Sequence, residues 1–135
     1  MRVFRFMSMD EFKKYQIGDT LSNDKKHHDY GQKTDSVGFC FMDCDDNSPE
    51  YAYEFLSGIV SDDVCAVFEV DESLLTKSEG TYAAPLIDDD VGWFSTMDVD
   101  EYCCQSYDKT NFKLLKYCFN ISWDNFNWIG EMMKD

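Results

Sequence analysis

Three short apolar runs, VGFCFM at 37–42, VCAVFEV at 64–70 and FKLLKYCFNI at 112–121, limit what this chain can fold into. Each has the length and the β-branched or aromatic content of a buried strand, and none approaches the ~18 apolar residues of a membrane span. A chain of 135 residues is expected to form a single domain, 1–135. Its 44% hydrophobic and 16% aromatic content is enough for a core, which excludes a disordered segment. The opening MRVFRFMSMDEF has no apolar targeting region followed by a small-residue cleavage site. A soluble, cytoplasmic protein with no membrane association is therefore expected. The six cysteines, at 40, 44, 65, 103, 104 and 118, are expected to be reduced and mostly in the core.

Charge is segregated along the chain. Residues 34–108 carry 19 acidic side chains and one base, Lys77, a net −18, whereas the two ends are close to neutral. Direct nucleic-acid binding is not expected, because counterion release needs a surface of Lys and Arg. Two readings of the acidity remain. It is a solvated surface that keeps the protein soluble, or it steers the protein toward a basic groove, such as the nucleic-acid channel of another protein. Asp43, Asp45, Asp46, Asp62 and Asp63 are the acids whose reversal to Lys separates a nucleic-acid mimic from an enzyme. The acidic runs lack the alternating ligands and glycine of a calcium loop, and the Cys and His spacings lack the paired form of zinc sites. No metal is expected.

The first element is a strand, RVFRFM at 2–7, with Val3, Arg5 and Met7 on one face and Phe4 and Phe6 on the other. Ser8-Met9-Asp10-Glu11 then matches the S-x-x-E capping box, in which the Ser hydroxyl and the Glu carboxylate satisfy backbone donors reciprocally. The helix it starts has Met9, Phe12 and Tyr15 as its apolar stripe and ends at Gly18. Residues 19–36 are polar and turn-rich and predict a long loop. Ser48-Pro49 predicts a second short helix closing at Gly58, Glu72–Leu75 a helical fragment, and Gly80-Thr81-Tyr82 a turn. The Asp-rich 83–100 is expected to be irregular, and 102–107 and 112–121 to be strands, the latter at the sheet centre. Phe126, Ile129, Met132 and Met133 predict a terminal helix.

The best chemical constellation is Arg5, Ser36 and Glu101. A charge on a core-facing strand position is expensive unless it is paired or lines a cleft. A guanidinium that holds a phosphate or ribose, a serine that orients the ring and a carboxylate facing an oxocarbenium-like transition state would suit dinucleotide chemistry. The alternative is that Arg5 pairs with one of the acids while Ser36 sits at a strand edge and Glu101 is exposed.

The order of these elements, an Arg-bearing strand (VFRFMS), a glycine-ended helix (MDEFKKYQIGDTL), a polar loop, SVGFCF, PEYAYEFLSG, VCAVFEV, a Gly-Thr-Tyr turn and a Glu-led strand (EYCCQSY) before FKLLKY, resembles the ADP-ribosyltransferase superfamily over residues 3–121. The resemblance implies an α+β fold with a compact split-sheet core and short helices. It implies NAD as substrate in a cleft and transfer of ADP-ribose to a protein or nucleotide target. In the arginine-serine-glutamate branch, Arg5 would bind the cofactor, Glu101 and Ser36 would be catalytic, Tyr82 would stack on nicotinamide, and the basic loop Lys25 to His28 would face the pyrophosphate. Thr34-Asp35-Ser36 stands where that branch has Ser-Thr-Ser, and Val99 stands where the arginine-modifying members have a second Glu or Gln. The competing reading is a non-enzymatic acidic inhibitor, for example an anti-defence protein, that mimics nucleic acid and blocks the basic groove of a nucleic-acid-binding protein.

Overall fold

A computed structural model describes residues 1–23, 26–29, 32–45, 53, 61, 63–85 and 94–121; over 26–29, 32–37, 78–85 and 94–100 it describes the backbone path. The fold is α+β. In chain order the elements are β1 (Arg2–Met7), α1 (Met9–Ile17), β2 (Leu21–Ser22), β3 (Lys26–Asp29), β4 (Gln32–Val37), β5 (Phe39–Asp43), β6 (Val64–Val70), β7 (Thr76–Pro85), β8 (Phe94–Cys104), β9 (Ser106–Tyr107) and β10 (Phe112–Phe119). One six-stranded sheet, ordered β10-β6-β1-β5-β8-β7 and antiparallel throughout, forms the frame. Two two-stranded sheets, β2-β9 and β3-β4, flank it.

Alternation along the strands gives the sheet two buried faces. Val3, Arg5 and Met7 share a face with Phe39, Phe41, Val64, Ala66, Phe68, Val70, Tyr102 and Phe112. Phe12 and Tyr15 of α1 bury against this face, and Tyr107 joins them from β9. Edge-to-face rings knit the layer: Phe41 meets Phe68 at 6.0 Å and Tyr107 at 5.4 Å, and Tyr15 meets Phe68 at 5.2 Å. On the second face lie Phe4, Phe6, Cys40, Met42, Cys65, Val67, Glu101 and Cys103, with Tyr53 against Phe6. Cys65 and Val67 have no exposure, so this face is covered too.

Local chemistry sets the element ends. The Ser8 hydroxyl accepts from the Glu11 amide and Asp63 accepts from the Met9 amide, so two orphan donors at the start of α1 are satisfied. Gly18, at φ 94°, takes the left-handed position that ends the helix. Gly38, at φ 85°, separates β4 from β5, and a Cβ there would collide with the Cys104 carbonyl oxygen and sit 2.8 Å from that of Asn23. Only glycine lets three backbone segments meet at this point.

Several expectations are corrected here. The stretch 19–36 is not one loop: it holds β2, β3 and β4, whose polar sequences KHHD and QKTDSV are held by backbone pairing rather than by an apolar face. Gly80-Thr81-Tyr82 is not a turn but the middle of β7, paired with Asp98, Val99 and Met97 of β8. Much of the span expected to be irregular therefore forms a long hairpin. The run at 112–121 gives β10 at the sheet edge rather than its centre. Its aromatic content serves the helix: Tyr117 and Phe119 lie 5.2 and 5.6 Å from the Phe12 ring. The helix expected after Ser48 and the terminal helix lie outside the described residues, Tyr53 apart.

Candidate functional site

β1 places Arg5 on the face that α1 covers, opposite Ala66 of β6. The strand turns straight into the helix, and this corner brings Glu11, one turn into α1, back over the guanidinium. Arg5 Nε donates to Glu11 Oε2 at 2.7 Å and Nη2 donates to Oε1 at 2.9 Å, a bidentate pair. Nη1 donates to the Cys40 carbonyl oxygen at 3.1 Å, and the plane lies over Phe39 and Phe41 at 5.1 and 5.8 Å. Tyr107 Oη donates to Glu11 Oε2 at 2.6 Å. The two charged side chains are only 17% and 14% exposed.

These contacts fix protonation. Burial alone would lower the Arg5 pKa, but the Glu11 hydrogen bonds and charge outweigh it and raise the group further above the ordinary arginine value. Burial, and then the Glu11 charge and hydrogen bond, push the Tyr107 hydroxyl well up. The trio is thus a neutral phenol on a closed ion pair, with its donors directed inward. It also changes the reading of the capping box, because both oxygens of Glu11 serve Arg5 and Tyr107.

Glu101 lies elsewhere. It pairs with Met42 in register and therefore shares the face of Phe4 and Met42, opposite to that of Arg5. Nor does it begin a strand or lie on the surface: it is well inside β8 and 2% exposed. Arg5 and Glu101 do not face a common cleft, because the sheet itself separates them. The surface clefts lined by Tyr15, Gln16, Lys109, Lys113 and Leu114 and by Ser22, Asn23, Gln105 and Ser106 contain neither residue. Ser36 is on β4, His28 on β3 and Tyr82 on β7, opposite Met97; the side chains of these three, and Lys25 entirely, lie outside the described residues.

What Glu101 does meet is a pair of thiols. Cys40 and Cys103 are direct cross-strand partners, with Cys103 Sγ 3.2 Å from Cys40 Sγ and 3.9 Å from Glu101 Oε2. The donor atoms of the three residues all lie within 4.8 Å of one another. The Cys103 contact, burial and the Glu101 charge push the Cys40 thiol far up. Sequence reasoning missed this trio because Cys40 and Cys103 are distant in the chain. The alternation of β8 does place Glu101 and Cys103 on one face, but only pairing with β5 supplies Cys40.

Comparison with known proteins adds no relationship: no protein-family model, curated protein or solved structure matches this chain. Among the described residues, no helix is long and apolar enough to cross a membrane.

Proposed function

We propose that this chain is a non-enzymatic binding protein whose acidic surface occupies a basic groove of a nucleic-acid-binding protein. The observation that carries the reading is where the strands end. β1 runs antiparallel between β5 and β6, with Val3 opposite Asp43 and Arg2 opposite Glu69. One end of the sheet therefore collects Asp43, Asp45, Glu69, Asp71 and Glu72, together with Arg2 and Lys113. Asp45, Glu69, Asp71 and Glu72 are exposed, and their fields add at a surface where solvent carries the cost of ionisation. Asp63 stands apart, at the other end, where it caps α1. On the hairpin, Glu79 stands opposite Asp100 in the backbone register.

The separation of Arg5 from Glu101 supports this reading over NAD chemistry. An arginine held by Glu11 and the Cys40 carbonyl has its main donors engaged before a phosphate arrives.

The test is competition for a groove. The immobilised protein should retain from lysate a nucleic-acid-binding protein that duplex or single-stranded nucleic acid displaces and that elutes as salt rises. The triple charge reversal Asp45→Lys, Glu69→Lys and Glu72→Lys should lose it. Calorimetric NAD binding with nicotinamide release that Glu101→Gln abolishes would overturn the reading in favour of the transferase.

A further inference from the structure

We infer that Cys40, Glu101 and Cys103 form a binding site for a soft divalent metal ion of the zinc class. Two sulfurs and one carboxylate oxygen are a set that zinc accepts, whereas magnesium and calcium select oxygen alone. Geometry comes next. With metal-sulfur bonds of about 2.3 Å and metal-oxygen bonds of about 2.1 Å, a tetrahedral ion separates two sulfurs by roughly 3.8 Å and a sulfur from an oxygen by roughly 3.5 Å. The sulfurs, at 3.2 Å, are closer than that and Cys103 Sγ to Glu101 Oε2, at 3.9 Å, is farther, with all three donors within 4.8 Å of one another.

The frame is rigid where the ligands attach. Cys40 is paired with Cys103, and Met42 with Glu101, in an unbroken run of register between β5 and β8, so the three Cα positions are fixed by backbone pairing on a central strand and its neighbour. Glu101 is 2% and Cys103 4% exposed, while Cys40 is partly exposed and gives a path for entry. Toward β1 and β6 the face is apolar, with Phe4, Met42, Cys65 and Val67, while on the β7 side Thr76 stands opposite Cys103 and Ser78 opposite Glu101 in register. A carboxylate and two thiols gathered among such residues are what a divalent cation neutralises. On binding, two metal-sulfur bonds form as two S–H bonds break, the two protons pass to solvent, and the carboxylate contributes a lone pair; no electron is transferred. The described residues supply three donors, the number that leaves a fourth tetrahedral position for an exogenous ligand.

The experiment uses the full chain, reduced, stripped with chelator and titrated with Co²⁺ and then Zn²⁺. One equivalent of Co²⁺ should give the intense near-ultraviolet sulfur-to-metal band of thiolate ligation, which Zn²⁺ then displaces. Cys40→Ser should reduce the band to half or less, Cys40→Ser with Cys103→Ser should abolish it, and Glu101→Gln should weaken binding by about tenfold or more, no less than loss of an outer partner of a ligand costs. Chelator-treated Cys40→Ser should melt close to the chelator-treated parent, so that loss of metal is not loss of fold. Co²⁺ binding without the band, a band undiminished in Cys40→Ser or persisting in the double variant, or no binding at all would overturn the proposal. Formation of a Cys40–Cys103 disulfide in air despite saturating Zn²⁺ would also overturn it, and would make the pair a redox couple.

Discussion

The two faces of the central sheet each bury a glutamate, and they treat it differently. On the helix side Glu11 receives a guanidinium through two hydrogen bonds and a phenol through a third, while Arg5 also reaches a backbone carbonyl and two aromatic rings. On the other side Glu101 lies beside two thiols. The first arrangement is closed: its charges compensate each other inside the protein. The second gathers a carboxylate and two thiols, groups that can take up protons or hold a cation. A charged residue on a core face is thus a structural part in one case and a candidate binding element in the other, and the neighbouring side chains decide which.

The largest effect should come from opening the closed side. Glu11→Ala leaves the Arg5 guanidinium without its counter-charge and the Tyr107 hydroxyl without its acceptor, which should cost about 3–5 kcal/mol in urea unfolding. Glu101→Gln in chelator-treated protein should cost about 1 kcal/mol or less. Equal losses would break the comparison. Tyr107→Phe should cost about 2 kcal/mol, as expected for a hydrogen bond to a charged acceptor, and in a double-mutant cycle most of that should vanish in the Glu11→Ala background.

Alkaline pH sharpens the contrast more gently. Tyr107 and Tyr15 have folded pKa values raised by burial, so above pH about 10 the unfolded chain releases tyrosine protons that the folded chain keeps. The unfolded state then binds fewer protons and stability falls as pH rises. Cys40, raised on the other face, should start the same decline near pH 8.5. Tyr107→Phe should reduce the loss above pH 10, to which Tyr15 also contributes, and Cys40→Ala should reduce the part between about 8.5 and 10, to which the raised Cys44, Cys104 and Cys118 also contribute. The smallest effect is kinetic. Burial pushes Cys104 up to about 11 and Cys44 to about 12, so alkylation of Cys104 at pH 8 should run about a hundredfold slower than that of a free cysteine.

What the sequence makes legible follows from what its pattern encodes. The alternation in RVFRFM, the Ser8 cap, Gly18 and the run at 64–70 are local signals, and the structure has the corresponding elements. The fragment at Glu72 is likewise a short 3-10 turn, capped by Asp71. β3 and β4 carry no apolar period and so read as loop. β7 and β8 do alternate, as in Thr96-Met97-Asp98-Val99-Asp100, but their density of Asp, with Gly80 in mid-strand, masks the signal. The sites were harder because pairing decides them. That Arg5 faces the core is visible in the alternation of its strand; that its partner is Glu11 depends on the corner between β1 and α1. Glu101 was noticed by residue type, yet its face is set by the register with β5, which no short window contains.

The strand order carries a consequence for how the molecule comes to be. β1, made before the other strands of the main sheet, ends up between β5 and β6, and among the described strands that sheet pairs only β7 with β8 as chain neighbours. At synthesis rates of about 5–20 residues per second, VFRFM waits several seconds for residues 39–43 and 64–70, with its apolar side chains unpaired. So non-local a topology places folding in the slow, millisecond-to-second class. The charge of Arg5 inside that waiting strand then acts as a gatekeeper against self-association before it becomes a ligand for Glu11.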